Sequence, residues 1–179
     1  MRVDALSIVS GVQELPAPSR EVTDFLEAWR AARSGALVPR KRDFDPLNVH
    51  RLLPYLWIYL YDRDEDTFIC RLAGEQINAA WGYSIAGHLS QDIFGPRDND
   101  VIVSIWKTIL DTPLVHYGKE EALAGTSLYN AERLVLPLAD ESGGINFILG
   151  FSRYSFGRSP TGPRSGLVEN AYHILCRDL

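Results

Sequence analysis

Side chains able to do chemistry are few in this sequence and widely scattered. The four histidines, His50, His88, His116 and His173, include no pair at i,i+4 and no H-E-x-x-H, so no preformed zinc helix is written into the chain. His88 and Asp92 stand four apart and would form an acid–base pair on a shared helical turn, although a surface ion pair is the plainer reading. His116 lies between Val115 and Tyr117, in a stretch whose alternation lets it face inward or outward. Asp62, Asp64 and Asp66 copy the opening of a calcium loop, but Thr67 and Ala73 stand where Gly and Glu are needed, which leaves a solvated turn. Cys70 and Cys176 are too few for a metal array or a disulfide framework and read as two reduced thiols. No glycine-rich phosphate cradle and no G-x-S-x-G elbow occurs. The run Pro39-Arg40-Lys41-Arg42 is basic, but Asp43 and Asp45 follow at once, so it reads as a solvated loop.

A second group of residues is apolar and aromatic. Ile77, Trp81, Ile102 and Trp106 fall on predicted helices, Ile93 on the turns between them, and Tyr117, Leu136, Phe147 and Leu149 on predicted strands. Each taken singly is ordinary core. Together they are the candidate lining of a small-molecule pocket, in which Trp81 and Trp106 bracket a planar ligand. Arg71, pointing inward, would offer that ligand a cation for a carboxylate or phosphate. If Phe68, Cys70 and Leu72 face the core instead, Arg71 points outward and the idea fails.

Composition bounds the rest. The chain has 179 residues, 46% hydrophobic and 23% charged, the balance of a globular domain with short extensions. Its formal net charge of −5 disfavours nucleic-acid binding. The N-terminus lacks a basic region followed by an apolar run, so no signal peptide is expected. The longest apolar run, Leu52 to Tyr61, is broken by Pro54 and is far shorter than the ~20 residues of a membrane span. The expectation is a soluble cytoplasmic protein with no membrane and no nucleic-acid partner.

The elements that must position these groups follow from periodicity. Residues 1–18 read as an arm. Val22, Phe25, Leu26 and Trp29 share one stripe of a predicted helix over 20–33, capped by Ser19 and stopped at Gly35. Strands are predicted at 55–61 and 67–72, a short helix at 74–82, turns at 83–97 and a helix at 98–111. Three more strands follow at 114–123, 130–139 and 145–154, then a linker and a last helix near 166–177. Two strands before the helices and three after them predict an α+β fold, one five-stranded antiparallel sheet with a helical layer on one face. The stripe of the 20–33 helix then covers the other sheet face or pairs with its own copy. In the second arrangement Val22, Phe25, Leu26 and Trp29 are a homodimer interface.

Several short strings point to a family. Trp29 and Arg33-x-Gly35 lead to Pro39-Arg40 and Asp43-Phe44-Asp45-Pro46, followed by Leu52-Leu53-Pro54 and Arg71-Leu72-x-Gly74. Gly82-x-x-x-x-Gly87 and Leu136-Pro137-Leu138-Ala139 complete the series. In order and spacing, over about residues 25–154, this resembles the alphaproteobacterial PAS-like family. The resemblance departs at Glu75, where that family has Thr, and at Ser84-Ile85-Ala86, where it has Asp-Leu-Thr. It implies a PAS domain at 19–155, a five-stranded sheet around a small helical cavity, with 156–179 as linker and C-terminal helix. It also implies a sensory module that binds a small molecule or a signalling partner and is not an enzyme. It names no cofactor; some PAS domains hold haem through one histidine, for which His116 would be the candidate. The competing readings are a small enzyme using His88 and Asp92, or His116, and a ligand-free scaffold.

Overall fold

The computed structural model describes residues 7–124, 127–158 and 168–179. A short strand β1 (Ser7–Ile8) precedes helix α1 (Arg20–Ala32), and 3-10 turns occupy Lys41–Asp43 and Pro46–Tyr55. Strands β2 (Leu56–Asp62) and β3 (Thr67–Ala73) form a hairpin, followed by α2 (Glu75–Trp81) and α3 (Ser90–Asp111). Gly95, with φ 73° and ψ 164°, breaks α3 into two pieces, and Pro96 starts the second. Strands β4 (Leu114–Ala124), β5 (Ser127–Ala139), β6 (Ile145–Arg158) and β7 (Val168–Leu175) complete the chain. Among the described residues no helix is long and apolar enough to cross a membrane.

The strands form one sheet in the order β1-β7-β4-β5-β6-β2-β3. All pairs are antiparallel except β1 with β7. The five predicted strands are therefore present and contiguous, but the sheet has seven strands rather than five. The two additions correct the sequence reading at both ends. The span read as an arm contributes β1, which pairs with β7. The predicted C-terminal helix is β7, paired to β4 from Leu114↔Leu175 to Glu121↔Val168. The spacing of Leu167, Val168, Ala171 and Leu175 fits a helix, yet β4 is buried on both faces and its free edge would leave backbone groups without partners. Tyr172 and Ile174 pack on one face of the sheet while His173 and Leu175 lie on the other, the alternation of a strand buried on two sides. Residues 159–167, most of the predicted linker, lie outside the described residues.

Because both faces are covered, the core has two halves. On one side Val115, Tyr117, Leu134, Leu136, Leu149 and Phe151 pack with Val22, Phe25, Leu26 and Trp29 of α1. On the other, Trp57, Tyr59, Phe68, Val135 and Ile148 pack with Ile77 of α2 and with Ile93, Trp106 and Ile109 of α3. We call these the α1 face and the α3 face.

The predicted stripe of α1 is thus inside one protomer. Val22, Phe25, Leu26 and Trp29 are each at most 1% exposed, so they cover the sheet and are not a homodimer interface. Polar contacts fix the helix in place. Ser19 caps it by accepting from Val22 N at 3.3 Å, while its own N–H donates to Glu132 Oε1 at 2.9 Å. The same oxygen accepts from Tyr117 Oη at 2.9 Å. Arg153 pairs with Glu21 at 2.8 Å, and the Trp29 indole N–H donates to the Pro137 carbonyl at 2.9 Å.

Trp29→Ala and Phe25→Ala should each lower stability by about 3–5 kcal/mol in guanidinium unfolding, the range for truncating a buried aromatic. A variant unfolding at the wild-type midpoint would show that α1 does not pack on the sheet.

Candidate functional site

The α3 face meets the helical layer through aromatic rings. Trp106 of α3 sits 5.3 Å from Trp57, 4.7 Å from Tyr59, 5.1 Å from Phe68 and 5.8 Å from Phe94, measured between ring centroids. Trp81 lies edge-on to Phe94 at 5.5 Å. Trp81 and Trp106 therefore pack against a shared ring and do not bracket an open slot. Gly150 is part of this packing, since a Cβ there would lie 2.1 Å from the Trp57 indole. That ring is laid flat on the β6 backbone, which only glycine permits.

Next to the rings, the sheet register places polar side chains on the same α3 face. His116 pairs across β4–β7 with His173 and across β4–β5 with Val135, which in turn faces Gly150. The two imidazoles are 3% and 4% exposed, and His116 Nδ1 lies 3.0 Å from His173 Nε2. The alternation around His116 is thereby resolved, and the side chain faces inward. Two register positions further along, Ser152 accepts from the Trp57 indole N–H at 2.9 Å and from Arg133 Nε at 3.3 Å. A buried two-histidine contact and an Arg–Ser–Trp chain thus flank the aromatic interior. A histidine pair of this kind can hold or relay a proton between its nitrogens. Among the described residues no group of three metal-ligating side chains is assembled.

Arg71 lies elsewhere. The β2–β3 ladder shifts register so that Ile58 faces Leu72 while Tyr59 faces Cys70. Arg71 is the extra residue of that bulge and is exposed. The bulge also separates Leu72 from the inner set. Phe68 and Cys70 are fully buried on the α3 face, but Leu72 is 45% exposed on the α1 side. There a cleft of about 290 Å³ is lined by Lys41, Ile58, Leu60, Arg71, Leu72 and Phe147.

The family pattern described as PAS domain matches residues 17–152. The chain belongs to the PAS domain family. Comparison with curated proteins gives no match.

Within this PAS domain the candidate pocket residues divide between three places. Ile77, Trp81, Ile93, Ile102 and Trp106 meet on the α3 face. Tyr117, Leu136 and Leu149 are on the α1 face beneath α1, with a sheet between them and the first group. Arg71 and Phe147 share the cleft just described. Strand phase decides the split: a single sequence gives alternation but not which parity faces which layer. The histidine pair is not legible in the sequence because it depends on the register of β4 against β7, a strand whose apolar spacing fits a helix.

Other candidates are structural. His88 is exposed and lies edge-on to Tyr83 at 5.6 Å, and it forms no ion pair with Asp92. Asp62 accepts from the backbone N–H groups of Asp64 and Glu65 at 3.1 and 3.2 Å, a hairpin turn. Asp66 accepts from the Tyr61 hydroxyl and pairs with Lys107 at 2.5 Å. Both contacts hold its carboxyl below the usual range, the lysine first.

The two thiols are fully buried. Burial pushes Cys70 up to about 11 and Cys176 up to about 12, against about 8.5 for a free thiol. Above pH ~8.5 the unfolded chain loses these protons while the folded chain keeps them, so the native state binds more protons and stability falls as pH rises. The window runs from about pH 9 to the folded values. Each thiol should contribute a slope of up to about 1.4 kcal/mol per pH unit there, and Cys70→Ala with Cys176→Ala should flatten it between pH 9 and 10 in guanidinium titrations. An unchanged slope would show that the thiols are accessible in the native state. Separately, Gly150→Ala should cost about 1–3 kcal/mol by overpacking and shift tryptophan emission; wild-type stability and emission would mean that Trp57 does not lie on β6.

Proposed function

We propose that this PAS domain is a cytoplasmic sensory or adaptor module with no catalytic output. It responds to a small molecule or a partner protein and passes the response on by protein contact. The observation that supports this is the position of Trp106. One ring of α3 touches the rings of β2, β3 and the first piece of α3 at once. A shift of α3 on its surface side therefore repacks rings deep on the sheet, and a change at the sheet is felt at α3. Such packed contacts tend to switch between discrete arrangements rather than deform smoothly. A coupling of about 1–3 kcal/mol, enough for a 5–150-fold response, is all that signalling requires.

The ligand-free scaffold has one observation in its favour, the ring-filled interior around Trp106. Any homodimer uses a surface other than the α1 stripe, which is occupied within the protomer.

Native mass spectrometry of the freshly purified protein separates these readings. The expected result is extra mass from a retained small molecule, or a stable complex with a second protein, lost in Trp106→Ala. A bare wild-type monomer would leave the scaffold in its place. Conversion of a retained molecule to product would overturn the non-catalytic assignment.

A further inference from the structure

The cleft that joins Arg71 and Phe147 carries more than its size suggests. Its floor is apolar, made by Ile58 and Leu60 of β2, Leu72 of β3 and Phe147 of β6. Leu72 is 45% exposed there, an open apolar surface flanked by charge of one sign. Lys41 and Arg71 stand over it, and among the described residues no carboxylate pairs with either. The neighbouring Arg42 is satisfied by Glu141 at 2.6 Å. Lys41 Nζ lies 5.7 Å from the Phe147 ring centroid, a cation–π contact that holds the ammonium above the floor. Arg71 sits in the β3 bulge, a device that re-aims a side chain out of the ladder.

We propose that this cleft binds a small anionic amphiphile, an acidic head group on a short apolar tail. The head group takes the guanidinium of Arg71 and the ammonium of Lys41, and the tail covers Leu72, Ile58, Leu60 and Phe147. Charge complementarity sets the sign of the ligand, since the lining supplies two cations and no carboxylate. Volume sets its size: about 290 Å³ lies at the bottom of the ~300–1,000 Å³ typical of ligand pockets, which suits a small ligand. The inference rests on the sensory reading and deepens it by giving the small molecule a class and a place, on the opposite face of the sheet from the Trp106 rings.

The test is a titration of the full chain with octanoate, octyl phosphate and the uncharged 1-octanol, followed by backbone amide NMR shifts. Either anion should move the resonances of Ile58, Leu60, Leu72 and Phe147 and saturate, whereas octanol should bind about tenfold or more weakly. Whichever anion binds tighter identifies the head group as carboxylate or phosphate. Arg71→Gln and Lys41→Gln, both exposed and outside the core, should each weaken anion binding about tenfold or more with an unchanged unfolding midpoint. Equal affinity for octanol and the anions, or affinity unchanged in both variants, overturns the proposal. Anion shifts confined to Trp57, Tyr59 and Trp106 also overturn it while leaving the sensory reading intact. No binding by any probe, joined to a bare monomer in native mass spectrometry, removes both.

Discussion

Trp29 carries the arrangement on which the rest of this PAS domain depends. Its ring is buried to 0% exposure under the sheet, and its indole N–H reaches the Pro137 carbonyl. Without α1 in that position, one whole face of a wide sheet would lie open to water, at a cost of about 25 cal/mol for every Å² of apolar surface. The polar contacts around the helix satisfy what the burial would otherwise strand. Glu132 accepts hydrogen bonds from both the Ser19 backbone N–H and the Tyr117 hydroxyl, and burial, reinforced by that carboxylate, pushes the Tyr117 phenol well above its ordinary range. A stripe buried this way cannot also serve as a free docking face.

The short strings on which the resemblance rests are mostly architecture. Trp29 and Pro137 meet through one hydrogen bond. Pro39 accepts from Ala139 N at 2.9 Å, which joins the Pro39-Arg40 string to the end of Leu136-Pro137-Leu138-Ala139. Phe44 lies edge-on to Phe25 at 6.0 Å, and Asp45 caps the next 3-10 turn through Leu47 N at 2.9 Å. Gly74 packs so close to the Leu53 carbonyl that a Cβ would approach it to 2.3 Å, so the Leu52-Leu53-Pro54 and Arg71-Leu72-x-Gly74 strings are two sides of one contact. Where the chain departs from the family pattern, the fold absorbs the change: Ile85 is buried, and its N–H donates to Asn78 Oδ1 at 3.0 Å. These strings therefore specify how distant segments meet, and Arg71 and Leu72 of one string also line the cleft.

The two faces of the sheet divide the work. The α3 face is filled by rings, with a buried histidine pair and an Arg–Ser–Trp chain at its flank. Its design suits transmission, because a ring contact rearranges as a unit. The α1 face is sealed over most of its area by α1 and opens only beyond it, where Lys41 and Arg71 overlook an apolar floor. On the proposed reading, recognition and transmission fall on opposite sides of shared strands. Strand β2 links them directly, since Ile58 and Leu60 line the cleft while Trp57 and Tyr59 contact Trp106.

Local pattern by itself determined α1, the β2–β3 hairpin, α2, the second part of α3 and the three long strands, because each carries its own period and its own stop signals. It also suggested the PAS family, which the family pattern over residues 17–152 shows. It could not determine β7, where burial on both faces erased the alternation and the free edge of β4 decided the outcome. Nor could it place the candidate residues: a one-residue bulge at Arg71 and the parity of β4, β5 and β6 sent Trp106, Leu136 and Arg71 to three different sites. Side-chain direction in a strand reverses at every residue, so register, which is a property of neighbours in space, settles which groups can ever meet.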